Sequence, residues 1–451
     1  MHRPTGRTDS PPLSPTGTVV VAIVAATVAV LPVFLTGALT VQIRPGLQVT
    51  TGDIGIAIAS FFGASALCSA TSGRLAERAG SVALMRVAAV VSLVALCGVA
   101  ALADHLWSLA LFLAVGGVGN GAMQPAVNQL LTRSVPGGRQ GLAFGVKQAA
   151  IPASTLLSGL AVPVLALTLG WRAAYLAAGA VAVAVMVGLH LLRRRLAAAG
   201  TVNAPGVAPP AGRASDVGDR SGGDRPGRAT GPEPRGVDLV GTRDAPGPAG
   251  ASTRPLLVLA AAMAMAVAAS NAMGAFVVPS AVAHGVAPGL AGLLSAAGSV
   301  TGLTSRVTFG WRADIGPNRG VTAARRHLRT VSLLIAIGVV GYLALGSGIA
   351  ALLVPATLLA FGAGWGYNGL FNLAVVRAYP RSPARATGIT QVGTYIGGMV
   401  GPLGFGLLVD HQGYDLAWVV CAAVAAVGAG VFVLGRRSLG RVPAPSTVVC
   451  A

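Results

Sequence analysis

What most constrains this chain is a series of apolar runs, each long enough to cross a bilayer and nearly free of charge. A hydrocarbon core of about 30 Å takes about 20 apolar residues at 1.5 Å each. Such runs recur at 18–42, 52–73, 82–103, 106–130, 141–166, 171–192, 255–280, 288–310, 328–346, 349–376, 385–409 and 415–435. Only 10% of the 451 residues are charged and 54% are hydrophobic, against about 25% charged in an ordinary soluble domain. The chain therefore lacks the polar surface a soluble protein needs. The expected class is an all-α membrane protein with twelve transmembrane helices.

The net charge of +19 would fit nucleic acid, but its placement argues against that partner. The arginines gather in alternate connections: Arg3 and Arg7, Arg74 to Arg86, Arg133 and Arg139, Arg193 to Arg195, Arg312 to Arg329, Arg377 and Arg381, and Arg436 to Arg441. The connections between hold few basic residues, which by the positive-inside rule places both termini in the cytoplasm of a plasma-membrane protein. The first run is about 25 residues long with no small-residue cleavage site, which distinguishes it from a signal peptide. The four cysteines are scattered singly, which reads as small hydrophobes and not as a metal or redox motif.

Residues 196–254 are rich in Gly, Pro, Ala, Asp and Arg and cannot bury a core. The expected organisation is a cytoplasmic tail (1–17), a six-helix half (18–195), a disordered cytoplasmic linker (196–254), a second six-helix half (255–437) and a cytoplasmic tail (438–451). Three matches in the same order, offset by 237 to 244 residues, point to a duplicated unit: Gly73-Arg74-Leu75-Ala76-Glu77 with Gly310-Trp311-Arg312-Ala313-Asp314, Arg133-Ser134-Val135-Pro136 with Arg377-Ala378-Tyr379-Pro380, and Ala143-Phe144-Gly145-Val146-Lys147-Gln148 with Ala386-Thr387-Gly388-Ile389-Thr390-Gln391. Parallel repeats of this kind place a substrate site near the midplane, between the halves.

On these residues the chain resembles the major facilitator superfamily. Gly73 to Gly80 is similar to the signature loop of that family, Gly-x-Leu-Ala-Asp-Arg-x-Gly, with Glu77 in place of the usual Asp. The second copy departs at Ile315, where a basic residue is common. The resemblance implies the family fold, two parallel-repeat halves that alternate access by rocking, and a gating role for Gly73, Glu77, Arg78, Gly310 and Asp314. Two expected features are missing. Val115 stands where span four often carries Arg, and Ile151-Pro152 where antiporters carry Gly-Pro.

Polar residues at membrane depth are the informative ones in such a chain. Lys147 is the only lysine and lies about 12 Å inside the fifth run, counted from Arg139. Its alternative is a snorkelling lysine. Arg306 lies roughly 9 Å inside the eighth run; its neighbourhood is similar to that of monocarboxylate transporters, where an Arg contacts the anionic substrate, and its alternative is packing near the gate. No carboxylate falls at mid-membrane. Asp53, at the mouth of the second run, is the one acid placed to carry a proton, and a helix cap fits it equally. The amide pairs Gln124/Asn128 and Asn368/Asn372 are each i, i+4 on one helix face and map onto each other across the repeat. By resemblance spans one, four, seven and ten line the cavity, with Asn271, Gln148 and Gln391 as further contributors; interhelical hydrogen bonding is the alternative for each amide.

A cavity with Lys147, Arg306 and no buried acid calls for an anion. The reading is a secondary transporter of a small organic anion, with Lys147 as charge partner. The motif around Lys147 and Gln148 also resembles cyanate- and nitroimidazole-type members. The alternatives are an exporter of neutral or amphipathic compounds, and a membrane sensor that transports nothing. No Walker motif, cofactor motif or metal cluster is present, and no enzyme activity is expected. The expected partners are membrane lipid, a small-molecule substrate and, optionally, a coupling ion such as a proton; the chain is expected to act as a monomer without nucleic acid.

Overall fold

The computed structural model describes residues 15–134, 140–198, 253–315, 320–380 and 382–439. Nearly all of the expected linker and most of both expected tails lie outside these residues, as does Arg139. The described chain is helical. A backbone in lipid must satisfy its own hydrogen bonds, and a helix does so within one segment.

In chain order the helices are α1 (Pro15–Ala38), α2 (Thr40–Leu47), α3 (Thr51–Ala79), α4 (Ser81–Leu102), α5 (Leu106–Ser134), α6 (Gln140–Gln148), α7 (Ala150–Ala161), α8 (Leu167–Leu169) and α9 (Trp171–Ala198). They continue with α10 (Arg254–Ala283), α11 (Pro288–Asp314), α12 (Gly320–Leu345), α13 (Leu353–Gly362), α14 (Asn368–Ala378) and α15 (Pro383–Ser438). A π-helical turn, Val162–Ala166, joins α7 to α8, where Pro163 removes a main-chain donor.

Among the described residues, nine helical segments are long and apolar enough to span a bilayer. They differ instructively from the twelve expected runs. The eighth run coincides with α11, which is 27 residues long but diluted by Gly, Ser and Thr. The tenth is divided into α13 and α14 by turns over residues 363–367. The eleventh and twelfth share α15, interrupted by Gly413 at φ 80°, ψ 177°, a conformation that suits glycine.

The expected loop at 73–80 is also different. Helix α3 runs on through Gly73 and Glu77 to Ala79, and the turn is made by Gly80 alone, at φ 86°. Gly73 has open space where a Cβ would stand, so no neighbouring element approaches closely there.

Packing relies on small residues, which let helix backbones approach where lipid offers no hydrophobic drive. Ala22, Ala25, Ala26 and Ala29 of α1 are wholly buried, and α1 contacts α5, α7, α9 and α10. Helix α10 packs along α15, and α3 along both α5 and α15. Helix α11 lies against α6 and α7. These contacts enclose a polar cavity.

Candidate functional site

The cavity begins with an interrupted helix. Proline at position 152 has no N–H, and its ring collides with the carbonyl four residues earlier, which is that of Gln148. The chain responds by ending α6 at Gln148 and restarting as α7 at Ala150. Lys147, the last-but-one residue of α6, is thereby held at the cavity wall, 6% exposed. Its ammonium makes no ion pair or hydrogen bond with any described side chain.

The cavity measures about 60 Å³, and Gln124, Lys147, Gln148, Asn271, Asn368, Asn372 and Gln391 all line it. Helices α5, α6, α10, α14 and α15 thus bring seven of the nine expected residues to one place. Asn128 and Arg306 do not join them. Asn128 is not among the lining residues, and its Oδ1 is buried without a partner among the described residues.

Arg306 is 1% exposed and stands behind the cavity. Its Nη1 donates to the Gln148 carbonyl, the one released by Pro152. Its Nε and Nη2 donate to the Trp365 carbonyl at 3.1 and 2.9 Å. That carbonyl belongs to the turn between α13 and α14, where it has no helical donor. One guanidinium therefore supplies donors at two helix breaks, and its Cζ lies 5.4 Å from the centre of the Trp365 ring.

Several wall residues were not legible as site residues. Asn120 accepts at Oδ1 from Gln124 Nε2 (3.1 Å) and donates to Ser65 Oγ (3.1 Å). Ser65 in turn donates to the Gly117 carbonyl at 2.9 Å. Gln124 is thus braced by the residue four before it, leaving its carbonyl oxygen for the cavity; the stripe Asn120, Gln124, Asn128 was the available signal. Phe34, Phe62, Trp365 and Tyr395 add aromatic wall, with Phe34 and Trp365 edge to face at 5.5 Å. In apolar spans aromatics carry no signal that separates cavity wall from core.

Two clasps bound the site. On one side the Asp314 carboxylate accepts from Leu142 N at 2.7 Å and lies 3.8 Å from Arg377. Beside it a Cβ on Gly145 would stand 2.8 Å from the Arg306 carbonyl oxygen and 3.1 Å from Gly310 Cα, so α6 and α11 meet there backbone to backbone. Glu77, which aligns with Asp314, and its neighbour Arg78 are exposed and form no ion pair with a described residue. On the other side Asp410 accepts from Thr51 N (3.0 Å) and Gly52 N (2.7 Å) at the start of α3.

The remaining acids have structural partners. Asp53 completes a capping box with Thr50, accepting from Thr50 N at 2.9 Å. His284 pairs with Asp415 at 2.8 Å, its side chain 15% exposed. His105 and Ser108 bond to the Asp104 carboxylate and hold its pKa below that of an ordinary aspartate.

A buried ammonium without an ion pair, beside a wall of amide side chains, can take an anion as its partner, with amide N–H groups donating to it. A family model described as Major Facilitator Superfamily matches residues 16–384. No curated protein matches the chain.

Proposed function

The chain belongs to the major facilitator superfamily, a family of membrane transporters and not of enzymes, and on that premise we propose that it moves a small organic anion by alternating access. It is a multi-pass membrane protein. In this reading twelve spans form two six-helix halves around the cavity in the plasma membrane, with both termini cytoplasmic. The halves rock about the site and expose it to each side in turn.

The observation that carries the reading is Lys147. A lysine near a span centre costs about 2.5–3.5 kcal/mol on the insertion scale, and no described carboxylate lines the cavity to offset that cost. A bound carboxylate would, through a charge-assisted hydrogen bond, while Gln124, Gln148, Asn271, Asn368, Asn372 and Gln391 orient it. The narrow cavity favours a compact solute. Arg306 acts in this reading as a strut that holds the two helix breaks in register, outside the substrate's reach.

The aromatic wall formed by Phe34, Phe62 and Trp365 favours a second reading, export of a neutral or amphipathic compound, in which Lys147 serves gating or coupling. Solute counterflow in proteoliposomes separates the two. Small carboxylates should exchange on wild type, and Lys147→Gln should lose that exchange. Exchange of neutral compounds alone, equal in both proteins, would hand the site to the exporter reading. Absence of counterflow for every class, with ligand-dependent melting preserved, would favour a sensor.

A further inference from the structure

A second cavity lies on the outside of the bundle, between α4 and α9, away from the polar site. It holds about 570 Å³ and is lined by Arg86, Val87, Val90, Val183, Val187, His190 and Arg193, with Ala83 and Met186 at its base. Its two parts differ in chemistry. Val87, Val90, Val183 and Val187 form an exposed apolar wall, between 42% and 58% accessible. Arg86, His190 and Arg193 gather at the end where α4 begins and α9 finishes. No acid is among the lining residues, and none of the three basic groups pairs with a described side chain.

The dimensions match one leaflet. From Val183 to Arg193 the helix rises about 15 Å, half of a hydrocarbon core of about 30 Å. Valines 183 and 187 with His190 follow a helical stripe of i, i+4, i+7, so the wall is continuous along α9 up to its basic cap.

We propose that this groove is a binding site for a phospholipid with an anionic headgroup, its acyl chain along the valines and its phosphate between Arg86 and Arg193. Basic groups between transmembrane helices at the headgroup level are the chemistry that selects such lipids. His190 supplies a further donor at the same level.

The test uses the full chain, purified in detergent and offered phosphatidylglycerol or phosphatidylcholine, with retained lipid counted by native mass spectrometry. Wild type should retain one phosphatidylglycerol under activation that strips phosphatidylcholine. Arg86→Gln with Arg193→Gln should bind it roughly 25-fold more weakly, about fivefold or 1 kcal/mol per arginine. Arg86→Lys with Arg193→Lys keeps both charges and should retain it; this pair also reads the site if the glutamine pair melts early. Val187→Trp, which fills the groove, should release the lipid with the arginines intact. Arg325→Gln with Arg326→Gln, exposed on α12, should change nothing. Equal retention of the two lipids, equal weakening by the α12 pair, or displacement of the lipid by free glycerol phosphate at equal concentration would each overturn the site.

Discussion

The two clasps on either side of the central cavity use one device in two strengths. At each, an aspartate from one helix accepts main-chain N–H groups at the start of another, where the helix dipole favours negative charge. Asp314 of α11 does this for α6, and Asp410 of α15 does it for α3. The difference lies in what stands behind the carboxylate. Asp314 is 14% exposed and backed by Arg377, which donates twice to the Ala313 carbonyl and touches His327. Asp410 is exposed and has no ion pair with a described residue. Water and salt screen an exposed charge far more than an enclosed one. The Asp314 clasp should therefore be the harder to open, and the Asp410 clasp the one that yields first.

The sharpest way to break this comparison is to wedge the stronger clasp. Gly145→Leu places a side chain where even a Cβ meets main-chain atoms of Arg306 and Gly310. Transport should fall at least tenfold, with the cavity standing open on the Asp314 side in cysteine-labelling experiments. Unaltered flux would mean that α6 and α11 need not close.

Next in size is Arg306→Met. It leaves the Gln148 and Trp365 carbonyls without donors, at about 1–3 kcal/mol for each buried group. The melting temperature should drop by several degrees, while any ligand that still binds should keep its preference for Lys147. A ligand affinity that falls with no loss of stability would make Arg306 a substrate contact and not a strut.

The clasps can then be compared directly. Asp410→Asn and Asp314→Asn each remove a charge from a helix start, worth about 0.3–1 kcal/mol. A single cysteine at Asn372, in a background without the native cysteines, reports access to the cavity. Asp410→Asn should raise its labelling from the Asp410 side by about fivefold, the population change that about 1 kcal/mol produces. Asp314→Asn should act from the opposite side. Equal responses would remove the asymmetry argued from Arg377.

The smallest effect is expected in the connection between α4 and α5. The His105 and Ser108 bonds lower the Asp104 pKa in the folded protein, so its contribution is present above the ordinary carboxylate range and lost as pH falls through the lowered value. Asp104→Asn removes that contribution, so melting at neutral pH should fall slightly and lose its dependence on pH in the carboxylate range, while flux stays unchanged. A measurable loss of transport would tie this connection to gating.

Much of the architecture was legible because membrane spans are written in composition. The apolar runs, the single buried lysine and the amides at one depth needed only hydropathy and helical rise. Where the reading diverged, contacts distant in sequence were responsible. Gln124 and Asn128 share a helix face, yet Gln124 donates to Asn120, whose own amide nitrogen is held by Ser65 of α3. Asp53 was weighed as a proton carrier and is tied up by Thr50. Gly73 looked like a turn residue within a motif, and the helix simply continues to Gly80, where positive φ ends it.

Apolar run length and charge bias determined by themselves that this chain is a bundle of membrane helices, with Lys147 and Arg306 inside the apolar runs. The missing N–H of Pro152 is a local fact, but the run 141–166 reads as one span, and the break after Gln148 is seen only in the structure. What occupies the carbonyl that break releases is not local. Arg306 lies 158 positions from Gln148, and an arginine six residues inside a span looks the same whether it faces a solute or a backbone oxygen. Only packing α6, α11 and the Trp365 turn together decides that direction, because a guanidinium in a low-dielectric interior goes to the acceptors that have no other donor.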